Sequence, residues 1–106
     1  MNSPYFVYKL LAPRPTFPAD ITKDEAAIMR RHADYWGGLL GSGHAVMFGQ
    51  VLDPEGCWGL AVVEAGSIEQ VRAFGAADPA FTSGLMAFEV FPMPLARARP
   101  HQNGKS

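Results

Sequence analysis

Two apolar runs, HAVMFGQVL at 44–52 and CWGLAVVEA at 57–65, are separated by only four residues, Asp53-Pro54-Glu55-Gly56. Proline directly after the aspartate and glycine in the fourth position suit a type I turn, so the runs fold back as an antiparallel hairpin. A helix signal stands on either side. Upstream, Thr22 precedes Glu25 by three residues, the reciprocal pattern that caps a helix N-terminus, and Asp24 sits near the positive end of the dipole. The spacing predicts a helix over about 23–40, ended by Gly41 and Gly43, which tolerate left-handed conformations. Downstream, Ser67 and Gln70 repeat the cap ahead of IEQVRAFGAA, a shorter helix interrupted at Pro79. The outermost segments are strands: YFVYKLL at 5–11, stopped by the prolines of APRPTFP, and GLMAFEVFPMP at 84–94, whose alternating prolines cannot donate to a ladder. The order β-α-β-β-α-β defines an α+β, ferredoxin-like fold, one four-stranded antiparallel sheet with two helices on one face.

The strands ask for cover on both sides. A sheet with one wet face alternates apolar with polar residues, but here Val46, Phe48 and Leu52 oppose Ala45, Met47 and Val51, and Leu85 and Phe91 oppose Met86, Phe88 and Val90. An uncovered apolar face of that size is rare on a monomer. A homodimer through the sheet faces supplies the cover; a different partner domain is the alternative. With 106 residues the chain makes one domain, taken as 1–95, and the polar segment ARARPHQNGKS marks 96–106 as a flexible C-terminal tail.

Several classes are disfavoured. Nine basic against ten acidic residues give no field of one sign for nucleic acid. No apolar run reaches the roughly 18 residues of a membrane span, and the N-terminal residues lack a secretion-signal pattern, so the expected location is cytoplasmic. Cys57 is the single cysteine, set in an apolar run where burial is expected. His32, His44 and His101 are the only histidines, and no CxxC, HExxH, P-loop or GxGxxG spacing occurs, so no metal or cofactor is expected. The glycines of GGLLGSG end a helix, which is the wrong end for a phosphate.

One residue breaks the helix pattern. At about 100° per residue the first helix gathers Met29, Ala33, Trp36, Leu39 and Leu40 on one stripe, and His32 falls inside it. A polar ring turned toward the sheet needs a hydrogen-bond partner. Helical geometry alone leaves a purely structural histidine open. The candidate partner is Asp78 in AADPAF, which is equally suited to being an ordinary turn residue before proline.

Taken together, RRHADYWGGLLGSG, then VMFGQVLDPEGCWGLAVVE, then the acid of ADPAF before GLMAFEVFPMP, resemble the YciI-like (YCII-related) proteins of the dimeric α+β barrel superfamily over roughly residues 5–95. The resemblance implies a ferredoxin-like subunit, a dimer, and an active site formed by a helix histidine and an aspartate near the last strand, here His32 and Asp78. Where that family often has a glycine-proline pair entering the hairpin strand, this chain has Gly49-Gln50, so a pocket wall differs.

Such a pair suits acid/base chemistry without a cofactor. A free imidazole titrates at about 6.5, and a carboxylate accepting from one ring nitrogen leaves the other to take a proton. The expected function is elimination or isomerisation of a small aromatic or enolic molecule; dehydrochlorination of a chlorinated hydroquinone is an activity the resemblance implies. The alternative is a non-catalytic module that binds a small ligand or a partner domain. Tyr35 and Trp36, near His32 on the helix, are candidates for the pocket wall as well as for the core. Arg14, in the first loop, is a candidate for holding a substrate anion, or a solvated arginine. In the topology Asp78 leaves the second helix beside the first, so a hydrogen bond to His32 of about 2.6–3.2 Å is expected.

Overall fold

A computed structural model describes residues 4–100. The expected tail lies partly outside them: residues 101–106, with His101, are not described, and 96–100 carry no regular structure. The elements are β1 (Tyr5–Leu11), α1 (Lys23–Gly41), β2 (Ala45–Val51), β3 (Trp58–Glu64), α2 (Ile68–Ala76), α3 (Pro79–Thr82) and β4 (Ala87–Pro92). The four strands form one sheet in the order β2-β3-β1-β4, antiparallel throughout. This is the expected ferredoxin-like α+β arrangement, with the added turn α3.

Local chemistry accounts for the boundaries. Thr22 and Glu25 form the complete reciprocal cap of α1. Ser67 caps α2 by accepting from Gln70 N, but the Gln70 carboxamide reaches back to Gly66 N at 2.9 Å, so only half of the second cap pattern forms. Gly41 is still helical, and the left-handed turn after α1 falls on Gly43 alone, at φ 87°. The hairpin turn closes from Gly56 N to Asp53 O at 2.9 Å.

Phe6, Tyr8 and Leu10 of β1 point to the helices, with Ala61 and Val63 of β3, and meet Trp36 of α1 and Val71 of α2 in one buried core. Trp36 and Tyr8 are each 1% exposed. α2 lies close to β4 because Gly75 lacks a side chain: a Cβ there would stand 2.5 Å from the Phe88 ring. The stripe of α1 differs from the expected one, since Ala33 and Leu40 are exposed while Tyr35 is half-buried beside Trp36. The faces of β2 differ too. A bulge between Ala45 and Met47 sets Ala45 on the same side as Phe48, leaves Val46 outside, and places Leu52 beyond the strand at 77% exposure.

The face away from the helices shows what the two-sided pattern means. Registered pairs align Met47, Val62, Val7 and Phe91 in one row across all four strands, and Val51, Trp58, Leu11 and Ala87 in another. Between them run Gly49, Leu60, Lys9 and Glu89. No helix of the described residues is long and apolar enough to cross a membrane.

Candidate active site

Asp78 is built into the fold by its own backbone. It is the N-cap of α3, its carboxylate accepting from Ala80 N at 2.8 Å, and Pro79 occupies the first helical position, where a missing N–H costs nothing. The side chain is fully buried, yet every side it presents is met by a donor. Trp36 Nε1 donates to Oδ2 at 2.8 Å and Tyr8 Oη donates to Oδ2 at 3.0 Å. His32 Nδ1 lies 3.0 Å from both carboxylate oxygens.

Burial alone would push the Asp78 carboxyl upward. The hydrogen bonds from His32 and Trp36, the imidazole's charge and the Ala80 amide outweigh it and hold the group below the usual carboxylate range. Asp78 is therefore ionised at neutral pH and can only accept. Tyr8 moves the other way: burial, reinforced by the neighbouring Asp78 charge, pushes its phenol far above its ordinary value, so it stays a donor.

An acceptor-only carboxylate fixes the imidazole tautomer, placing the proton on Nδ1 and the lone pair on Nε2. Nε2 has no partner among the described residues, and no buried side-chain nitrogen or oxygen there lacks one, so Nε2 is open to solvent. His32 is 15% exposed against 0% for Asp78. The ring lines a cavity of about 280 Å³ between α1 and the sheet. Its walls are aromatic and aliphatic, from Trp36 and Met29 on α1, Phe17 and Ile21 in the first loop, Phe48 on β2 and Met86 before β4. Gln50, Cys57 and Tyr8 also border it, and Asp78 does not.

Thus His32 and Asp78 are brought into contact, with the aspartate behind the histidine. Trp36 belongs to the core and also lines the cavity, and its indole N–H holds the carboxylate. Tyr35 is placed elsewhere; its hydroxyl donates to Phe74 O at 2.6 Å, and it does not line the cavity. Arg14 is also kept away. Its Nη1 and Nη2 grip Glu25 at 2.8 and 2.7 Å, and its Nε bonds Asp20 at 2.9 Å, tying the first loop to the start of α1. A guanidinium so engaged has little left for a substrate anion. Cys57 is half-buried on the cavity wall.

Tyr8 is the polar residue that sequence reasoning passed over. Its position between Phe6 and Leu10 on the core-facing side of a strand was a legible signal, because a buried phenol requires an acceptor. Among the described residues no three His, Cys, Asp or Glu side chains converge as metal ligands.

The family model described as the YCII-related domain matches residues 9–94. No curated protein matches the chain. Among solved structures, it is similar to the 5-chloro-2-hydroxyhydroquinone dehydrochlorinase TftG from Burkholderia phenoliruptrix AC1100, in complex with 2,5-dihydroxybenzoquinone. The two chains are 20% identical and superpose with a TM-score of 0.59, covering 96% of this chain and 99% of the other. At that identity the likeness is one of fold.

Proposed function

The chain belongs to the YCII-related domain family, and on that premise we propose that it is an enzyme in which His32 acts as general base on a small aromatic or enolic molecule, with elimination or isomerisation as the outcome. One observation carries the proposal: an imidazole on the wall of a cavity has one nitrogen held by a buried, ionised carboxylate and the other left free. Asp78 is then a positioning residue. It sets the tautomer and offsets the positive charge that His32 gains, without touching substrate.

In the reaction, Nε2 removes a proton from a ring hydroxyl or from a carbon beside a carbonyl, and the electron pair moves into the ring system. In an elimination the halide sits on a saturated carbon of the keto tautomer: the pair released by deprotonation forms the new double bond, directly or through a conjugated one, and the halide departs with the C–X bonding pair, the sum being loss of HX. In an isomerisation the proton held on His32 returns at another atom. The cavity is large enough for one substituted ring, and its walls are largely apolar. The dehydrochlorinase of similar fold, in complex with a dihydroxybenzoquinone, supports a ring substrate here.

Chlorinated hydroxyhydroquinones are the first substrates to offer, with release of chloride as the readout. His32→Asn preserves size but not the titrating base, so it is expected to fold and to lose turnover by about 10²–10⁴-fold. Turnover equal to that of the parent chain would remove His32 from the chemistry.

We further propose that the working unit is a homodimer with the two sheet faces packed together. The aligned Met47–Val62–Val7–Phe91 row supports this, since Met47 is 55% and Phe91 46% exposed in the single chain. Light scattering at micromolar concentration should give twice the 11.5 kDa chain mass; a single-chain mass would refute the dimer.

A further inference from the structure

We infer that Gln50 is the specificity-determining residue of the cavity, selecting uncharged rings that carry a second oxygen besides the one presented to His32. The inference rests on the reading of the cavity as a substrate site and goes beyond it by assigning a residue that proton chemistry does not require.

Register places Gln50 on the cavity side of the sheet. It pairs with Gly59, which pairs in turn with the buried Leu10, so all three share the face that meets the helices. Gly59 has no side chain, and Leu10 packs over it: a Cβ there would stand 3.2 Å from the Leu10 Cβ. Gln50 is exposed where it borders the cavity, and its carboxamide has no hydrogen-bond partner among the described residues.

The other strong polar groups of the cavity are committed, the Trp58 indole N–H to Asp53 among them, and the Cys57 thiol is only a weak donor. The Tyr8 and Trp36 donors are both spent on Asp78, and His32 offers only Nε2. No lysine, arginine, aspartate or glutamate is among the described residues that line the cavity, and Arg14 is consumed by Asp20 and Glu25. A carboxylate or phosphate ligand would therefore lose its hydration without gaining a cation. A neutral hydroxyl or carbonyl loses much less, and a carboxamide satisfies either one, donating through its NH₂ or accepting through its oxygen. Between His32 on α1 and Gln50 on β2, the apolar walls then hold the ring itself.

Phenol and hydroquinone, both uncharged at neutral pH, differ only in the second oxygen and serve as probes. Binding of each to the full chain is measured by calorimetry, with Gln50→Leu and Gln50→Met as apolar replacements and the melting midpoint as a check on folding. One neutral hydrogen bond corresponds to a preference of about threefold to tenfold for hydroquinone in the parent chain. In both variants the preference should vanish, whatever the affinity for phenol itself. A preference that survives in the variants, or that is missing from the parent, overturns the role of Gln50 and leaves the cavity reading intact. Failure of the parent chain to bind either ring would remove the cavity reading, and Gln50's role with it.

Discussion

The molecule holds two carboxylate clusters of similar size and opposite character. Around Glu25 and Asp20 everything is charged or near water: Arg14 bridges both acids, and its side chain is 31% exposed against 47% for Asp20. Around Asp78 everything is buried, and the donors are mostly neutral, an indole, a phenol and a backbone amide, with one titratable ring at the edge. The exposed cluster fastens a loop to a helix. The buried one stores a negative charge where water cannot answer it, and this sets the tautomer of the neighbouring imidazole. Hydrogen bonds that look alike in length thus differ in consequence, because the penalty for breaking one depends on whether water can replace the lost partner.

The sharpest way to break this contrast is Asp78→Ala. The substitution strands the Tyr8 and Trp36 donors in the core and removes the cap of α3, so an unfolding loss of about 3–5 kcal/mol is expected by chemical denaturation. A loss below about 1 kcal/mol would mean that the buried cluster is no more demanding than a surface pair.

Tyr8→Phe probes one donor only. Deleting a hydrogen bond to a buried charged group should cost about 1.5–3 kcal/mol while leaving His32 on the carboxylate. The pH profile adds a second readout. Tyr8's phenol is raised in the folded state, so as pH climbs past about 10 the unfolded chain ionises it and the folded chain does not, and stability falls. That part of the alkaline loss should be absent in Tyr8→Phe; an unchanged alkaline slope would show that other groups carry it.

How far the sequence led depended on the range of the interaction. Local rules were enough for the Thr22 cap, the Asp53–Gly56 turn and the strand order, since each depends on residues a few positions apart. The contact between His32 and Asp78 needed topology, and family resemblance pointed to the same pair. The bulge at Val46 was hidden because both faces of β2 are apolar, so period-two alternation could not show where the register slips. The turn α3 is too short for periodicity, although aspartate before proline is the local signature of its start. The Arg14 cluster was not legible for a different reason: its partners Asp20 and Glu25 are close in sequence, but only the folded first loop turns all three toward one another.

Arg14→Ala completes the contrast from the exposed side and should have the smallest effect, a shift in denaturation midpoint below that of Tyr8→Phe. Its signature lies in acid. Hydrogen bonding by Arg14, with help from the Thr22 amide, lowers the Glu25 carboxyl from 4.5 to about 2. Between those values the unfolded chain binds a proton that the folded chain refuses, so stability is present above about pH 4.5 and is lost as pH falls toward about 2. Without Arg14 the folded value moves back toward the ordinary one, and this part of the acid slope flattens. Asp78 is also held low, so its own contribution, lost in the same direction, should persist in Arg14→Ala. Salt separates the two. At about 1 M the screening length is near 3 Å, so the Arg14 contribution should fade in the parent chain while that of buried Asp78 remains. If salt leaves the whole acid slope intact and Arg14→Ala does not flatten it, the exposed cluster behaves like the buried one and the distinction between them fails.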